Sequence, residues 1–202
     1  MRRMTVTAIV LVLGACALGA QGQRNMSVKA SAAVSPEVQT KIQQAMRAAP
    51  ADITASATIM DWPEKDGMPM KHLRAGSNGW TCMPSSPAPP DGTGREDPMC
   101  ADQRFSTLLE AWTTKRDPHL GAVGIAYMLR GDKGASNTDP FAMTRTATNN
   151  WVVSPSHIMV AVPDARQLDA FPTDPHAGGP WVMWKGTKYA HLMVPTATVP
   201  KP

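Results

Sequence analysis

Gly178-Gly179-Pro180-Trp181-Val182-Met183-Trp184-Lys185-Gly186-Thr187-Lys188-Tyr189-Ala190-His191-Leu192-Met193-Val194-Pro195 is the stretch that decides the fold class. It reads as two strands joined at Lys185-Gly186, opened by a Gly-Gly-Pro turn and closed by a proline. Side chains alternate along a strand, so Tyr189, His191 and Met193 share one face and Ala190, Leu192 and Val194 the other. Upstream, His157-Ile158-Met159-Val160-Ala161-Val162 repeats the pattern, with His157 and Met159 together. Both faces of that run are largely apolar, which marks a strand internal to a sheet with cover on each side. The expectation is an α+β fold: a mostly antiparallel sheet, a packed amphipathic helix and long proline-rich loops.

Two helices stand out in the rest of the chain. One starts at Ser35 as N-cap, with Pro36 at the first helical position, Glu37 in the first turn and an apolar stripe of Val38, Ile42, Ala45, Met46 and Ala49. The other covers about Asp102 to Arg116. Phe105, Leu108, Leu109 and Trp112 fall on one face, and Asp117-Pro118 stops it. Ile53 to Trp62, Lys71 to Cys82 and Gly121 to Arg130 read as extended. The small Gly124 and Ala126 predict close approach of a neighbouring element. Gly131 to Asn150 reads as a polar connection, and Asp164 with Gln167 resembles a capping box on a short helix.

The N-terminus carries the marks of export. Arg2 and Arg3 precede a short apolar run, Val6 to Leu13, too short to span a bilayer stably. Residues 1–22 are read as a signal peptide, 23–34 as a flexible tether and 35–202 as a single domain. Two processing routes remain open. Leu13-Gly14-Ala15-Cys16 fits a lipobox, which leaves Cys16 lipidated; Ala20-Gln21-Gly22 fits ordinary cleavage. Either route removes two arginines and no acid, so the formal charge falls from +4 to +2. No Lys/Arg cluster remains, which argues against a nucleic-acid partner. The destination is the periplasm or the outer membrane as a lipoprotein, or the exterior, with membrane contact only through a lipid anchor.

Cys82 and Cys100 flank a proline-rich segment with almost no capacity to form a core. In an oxidising compartment the favoured reading is a disulfide closing that loop. The rival, a cysteine metal or nucleophile site, lacks Cys-x-x-Cys spacing.

Methionine is the compositional oddity, with 14 in the chain against three Phe and two Tyr. Methionine fills cores and packs against aromatics. With histidine it also forms a soft-to-intermediate ligand set suited to copper. The candidate ligand or metal residues are therefore His157, Met159, His191 and Met193, with Trp181, Trp184 and Tyr189 as possible walls of a ring-stacking pocket. Catalytic motifs are absent: no Gly-x-Ser-x-Gly elbow, no His-Glu-x-x-His and no Ser-x-x-Lys with suitable partners. A hydrolase would use His157 or His191 as acid/base, paired with Asp139, Asp164 or Asp174.

Gly76-Ser77-Asn78-Gly79-Trp80-Thr81-Cys82, Gly124 to Leu129, Ala135-Ser136-Asn137-Thr138-Asp139-Pro140, His157-Ile158-Met159-Val160 and the opening stretch together resemble a family of exported bacterial proteins without an assigned activity. The match covers roughly residues 57 to 195. Relatives carry proline before the first His-x-Met, where this chain has Ser156. The resemblance implies a secreted or envelope protein and supplies no catalytic residues. The leading expectation is thus a non-enzymatic envelope protein that binds a small ligand, a metal or another protein; a small exported hydrolase is the alternative.

Overall fold

The two longer helices begin where a side chain can satisfy a free amide. Ser35 Oγ accepts from Val38 N at 3.3 Å and opens α1 (Pro36–Ala45); Asp102 Oδ1 accepts from Phe105 N at 2.7 Å and opens α3 (Gln103–Thr113). The computed structural model describes residues 34–65, 68–87 and 95–199. The expected signal peptide, the lipobox with Cys16 and the tether, apart from Val34, lie outside the described residues. Val34–Pro202 form one compact unit.

Its centre is an eight-stranded sheet built from β1 (Thr58–Asp61), β2 (Lys71–Arg74), β3 (Trp80–Met83), β4 (Met99–Asp102), β5 (Gly124–Met128), β8 (His157–Ala161), β9 (Trp181–Met183) and β10 (His191–Pro195). The spatial order is β2-β1-β3-β4-β5-β8-β10-β9. Only β1 and β3 pair in parallel, so the sheet is mixed and mostly antiparallel. Two two-residue strands, β6 (Ala135–Ser136) and β7 (Trp151–Val152), form a separate ribbon.

The two faces bury different cores. One, under α3, gathers Met83, Met99, Ala101, Ala126, Met159, Ala161, Trp181, Met183 and Met193 against Phe105, Leu108 and Ala111. Leu109 and Trp112 pack at its margin. The other packs Ile42 and Ala45 of α1 on Ile59, Cys82 and Cys100. Cys82 and Cys100 face each other across β3 and β4 and are joined by a disulfide inside this second core. Gly124 lies where α3 meets β5: a Cβ there would sit 2.4 Å from Phe105 N.

Three sequence expectations need correction. Ile53 to Trp62 is not one strand, because Ala51–Thr54 forms a short helix, α2, before β1 begins. Pro50 O accepts from both Ile53 N and Thr54 N, and the Arg74 guanidinium donates to Thr54 O and Ala57 O, which fixes the corner. The stretch 131–150 contributes β6 as well as loop. Finally, β9 and β10 are not joined at a two-residue turn: residues 184–190 separate them.

The segment between the cysteines is tied down at both described ends. Asp97 accepts from Ser86 N and Ser86 Oγ, Ser85 Oγ accepts from Asp97 N, and Lys133 reaches both Asp97 and Ser86 O.

Candidate functional site

β8 and β10 are antiparallel neighbours, with Met159 opposite Met193 and His157 opposite Pro195. On the other side of β10, His191 lies opposite Met183 and Met193 opposite Trp181. Paired residues share a face, so His157, Met159, Met183, His191, Met193 and Trp181 form one layer. The histidines nevertheless stand at opposite ends of it. Four residues of strand separate them, about 14 Å at ~3.4 Å per residue, with the Met159–Met193 pair between. The expected His157–Met159–His191–Met193 grouping therefore divides into two histidine sites.

The His191 site is apolar. The ring is 3% exposed and stands edge-on to Trp184, with centroids 5.0 Å apart, and to Phe105 at 6.0 Å. His191 Nδ1 lies 3.0 Å from Tyr189 O. A carbonyl only accepts, so the proton sits on Nδ1 and Nε2 carries a lone pair. That Nε2 is buried without a hydrogen-bond partner. Burial pushes the His191 pKa down to about 4, the Tyr189 hydrogen bond opposing and repulsion from His157 adding to the fall, so the ring is neutral at physiological pH.

The His157 site is polar. The residue is 0% exposed, and Nδ1–H donates to Pro155 O at 2.6 Å, again leaving Nε2 buried and unpartnered. Asp132 faces it. The Asp132 Oδ1 atom accepts from Gly134 N and Ser154 N, both at 2.8 Å, stapling the turn after β5 to the segment before β8. Burial pushes the His157 pKa down while the Asp132 carboxylate opposes; burial also pushes the Asp132 carboxyl up. Ser154 Oγ is buried nearby without a partner. The acids expected to serve a hydrolase are engaged elsewhere. Asp139 Oδ1 accepts from Phe141 N, Asp164 is paired with Arg166, and Asp174 accepts from His176 N.

The aromatic residues are structural struts as well as walls. Tyr189 precedes β10; it is buried and its hydroxyl donates to Arg116 O. Trp181 Nε1 donates to Asn137 Oδ1, and Trp184 Nε1 donates to Ser136 O. Trp184 adopts φ 56°, a left-handed conformation that costs a bulky residue about 1–3 kcal/mol. Its backbone N–H, bonded to Asn137 O at 2.9 Å, and its indole hold it there. Asn137 also donates from Nδ2 to Thr173 O. Sequence reasoning took residues 131–150 for a polar connection and missed this hub, as it missed Asp132 and Met183. The strand alternation of Trp181 and Met183 was the available signal for Met183.

Neither of two open grooves among the described residues borders His157 or His191. One, of about 420 Å³, lies between Pro175–Pro180 and Pro195–Val199; the other, of about 470 Å³, lies beside Thr107, Glu110 and Asp117. Among the described residues no three His, Cys, Asp or Glu side chains converge as a metal-binding group, and no helix is long and apolar enough to cross a membrane. Comparison with models of protein families, with curated proteins and with solved structures finds no match.

Proposed function

We propose that the protein is an exported, non-enzymatic binding protein of the cell envelope, whose binding element is the histidine–methionine layer beneath α3. The observation that carries this reading is the closure of both imidazoles: His157 and His191 are sealed from solvent and border neither groove. A hydrolytic base must reach its substrate. In this reading α3 is the amphipathic cover of the layer, and the Cys82–Cys100 bridge closes the proline-rich segment. Such a bridge persists in an oxidising compartment, which agrees with the apolar N-terminal run and with the resemblance to exported bacterial proteins. Processing leaves either a lipidated Cys16 or a free N-terminus near Gln21 or Gln23, which mass spectrometry of the mature chain distinguishes.

The competing reading is a hydrolase in which Asp132 orients His157; the neighbourhood of that carboxylate and imidazole is its support. Incubating the protein with chromogenic ester, phosphoester and peptide substrates decides between them. The expected result is no turnover above buffer. Turnover that disappears in His157→Gln overturns the binding-protein reading.

A further inference from the structure

We propose that His191 Nε2 and the thioethers of Met183 and Met193 form a site for one soft monovalent ion, Cu(I) or Ag(I), beside Trp184. This rests on the binding-protein reading and names its ligand.

The argument starts from the lone pair. Tyr189 O fixes the proton on Nδ1, so the inward nitrogen is a free donor atom. Buried polar atoms nearly always have partners, and this one has none. Two of the neighbours that the strand register gives His191 are thioethers. Met183 is the cross-strand partner of His191, with Cβ atoms of such pairs about 4.5–5.5 Å apart. Met193 is two residues along the same strand and on the same face, about 7 Å away. Both are buried. One imidazole and two thioethers make a soft, uncharged set. It suits a d10 monovalent ion and not zinc, which takes thiolate, imidazole or carboxylate.

Trp184 supplies a second, independent observation. A tryptophan at φ 56° is an outlier that persists only where its surroundings over-determine it. Here Asn137 O and Ser136 O hold its backbone and its indole, and the result is a ring 5.0 Å from the His191 ring. The strained residue therefore brings an aromatic ring against a site whose ligands are neutral.

The test titrates the full chain, carrying Cys16→Ser so that no thiol outside the bridge competes, with Ag(I) against a competing chelator. Tryptophan fluorescence provides the readout. The expected result is one equivalent bound, with quenching. Met183→Leu and Met193→Leu, which conserve volume, should each weaken binding about tenfold or more, and His191→Phe should abolish it. Met83→Leu, on the same face of the sheet but at β3, four strands from β10, should bind as the parent does. Circular dichroism checks that each variant is folded. Absence of uptake by the parent overturns the proposal, and so does unchanged binding by the three site variants, which would put the ion elsewhere. Both failures leave the binding-protein reading intact as long as the substrate screen finds no turnover.

Discussion

Acid should weaken the metal-free protein through His191, by an amount the burial of this one ring sets. An ordinary imidazole titrates near 6.5, and the buried His191 near about 4. Between those values the unfolded chain takes up a proton that the folded one refuses. Unfolding is therefore favoured as pH falls, and the stabilisation, fully present above pH 6.5, is lost on the way down to pH 4. At ~1.4 kcal/mol per pH unit the loss is about 3 kcal/mol, a large share of the 5–15 kcal/mol typical of a domain. His157 and Asp132 also titrate in the buried layer, so the wild-type curve alone does not isolate this contribution. His191→Phe does, because a ring of similar shape replaces the imidazole between Trp184 and Phe105 without a titrating nitrogen. Urea unfolding of both proteins at pH 7, 6, 5 and 4, followed by tryptophan fluorescence, gives the difference in stability at each pH. That difference should shift by about 3 kcal/mol in favour of the variant between pH 7 and pH 4. Parallel curves would show that His191 takes up its proton in the folded state as easily as in the unfolded, which would refute its assignment as a sealed neutral ring.

Other perturbations test the frame around the layer. The Cys82–Cys100 bridge closes 18 positions of sequence, so the Cys82→Ala/Cys100→Ala double variant should lose about 3 kcal/mol in urea; thiol titration of the unfolded, unreduced parent should find neither cysteine free. Asn137→Ala strips partners from the Trp181 indole and Thr173 O, and a loss of about 2–4 kcal/mol is expected, together with altered near-ultraviolet dichroism. Gly124→Ala drives a methyl into the backbone of α3 at Phe105 and should cost about 1–3 kcal/mol; an unchanged melting temperature would mean that α3 shifts away from β5 without cost.

The parts that could be read from sequence are those whose cause is local. The Ser35-Pro36 start of α1 and the placing of a helix from about Asp102 are each decided within a few residues, and Asp102 proves to be the cap of α3. The internal place of β8 followed from apolar residues on both its faces, and β8 does lie between β5 and β10. The disulfide was legible because the proline-rich chain between its cysteines has almost no capacity to form a core. What escaped reading depends on partners far along the chain. Ile53 and Ala55 were taken into a strand because nothing nearby announces that the Arg74 side chain will bond Thr54 O and Ala57 O. Asn137 looks like any turn residue until Trp181 and Trp184 arrive 44 and 47 positions later.

Register explains the most consequential miss. A two-residue turn at Lys185-Gly186 would pair Met183 with Lys188; the observed connection pairs Met183 with His191, a slip of three positions. An odd slip exchanges the faces of a strand. It carries Trp181 and Met183 from the side of Ala190 and Leu192 to the side of His191 and Met193. The left-handed Trp184 and Gly186 make that longer connection possible. Glycine at such a position is ordinary, whereas tryptophan there needs the two bonds from residues 136 and 137. The distant Ser136-Asn137 pair thus sets the register of β9 on β10, and with it which side chains meet the free nitrogen of His191. Loosening that pair should disturb the site before it disturbs the sheet, because β10 keeps its pairing with β8 regardless.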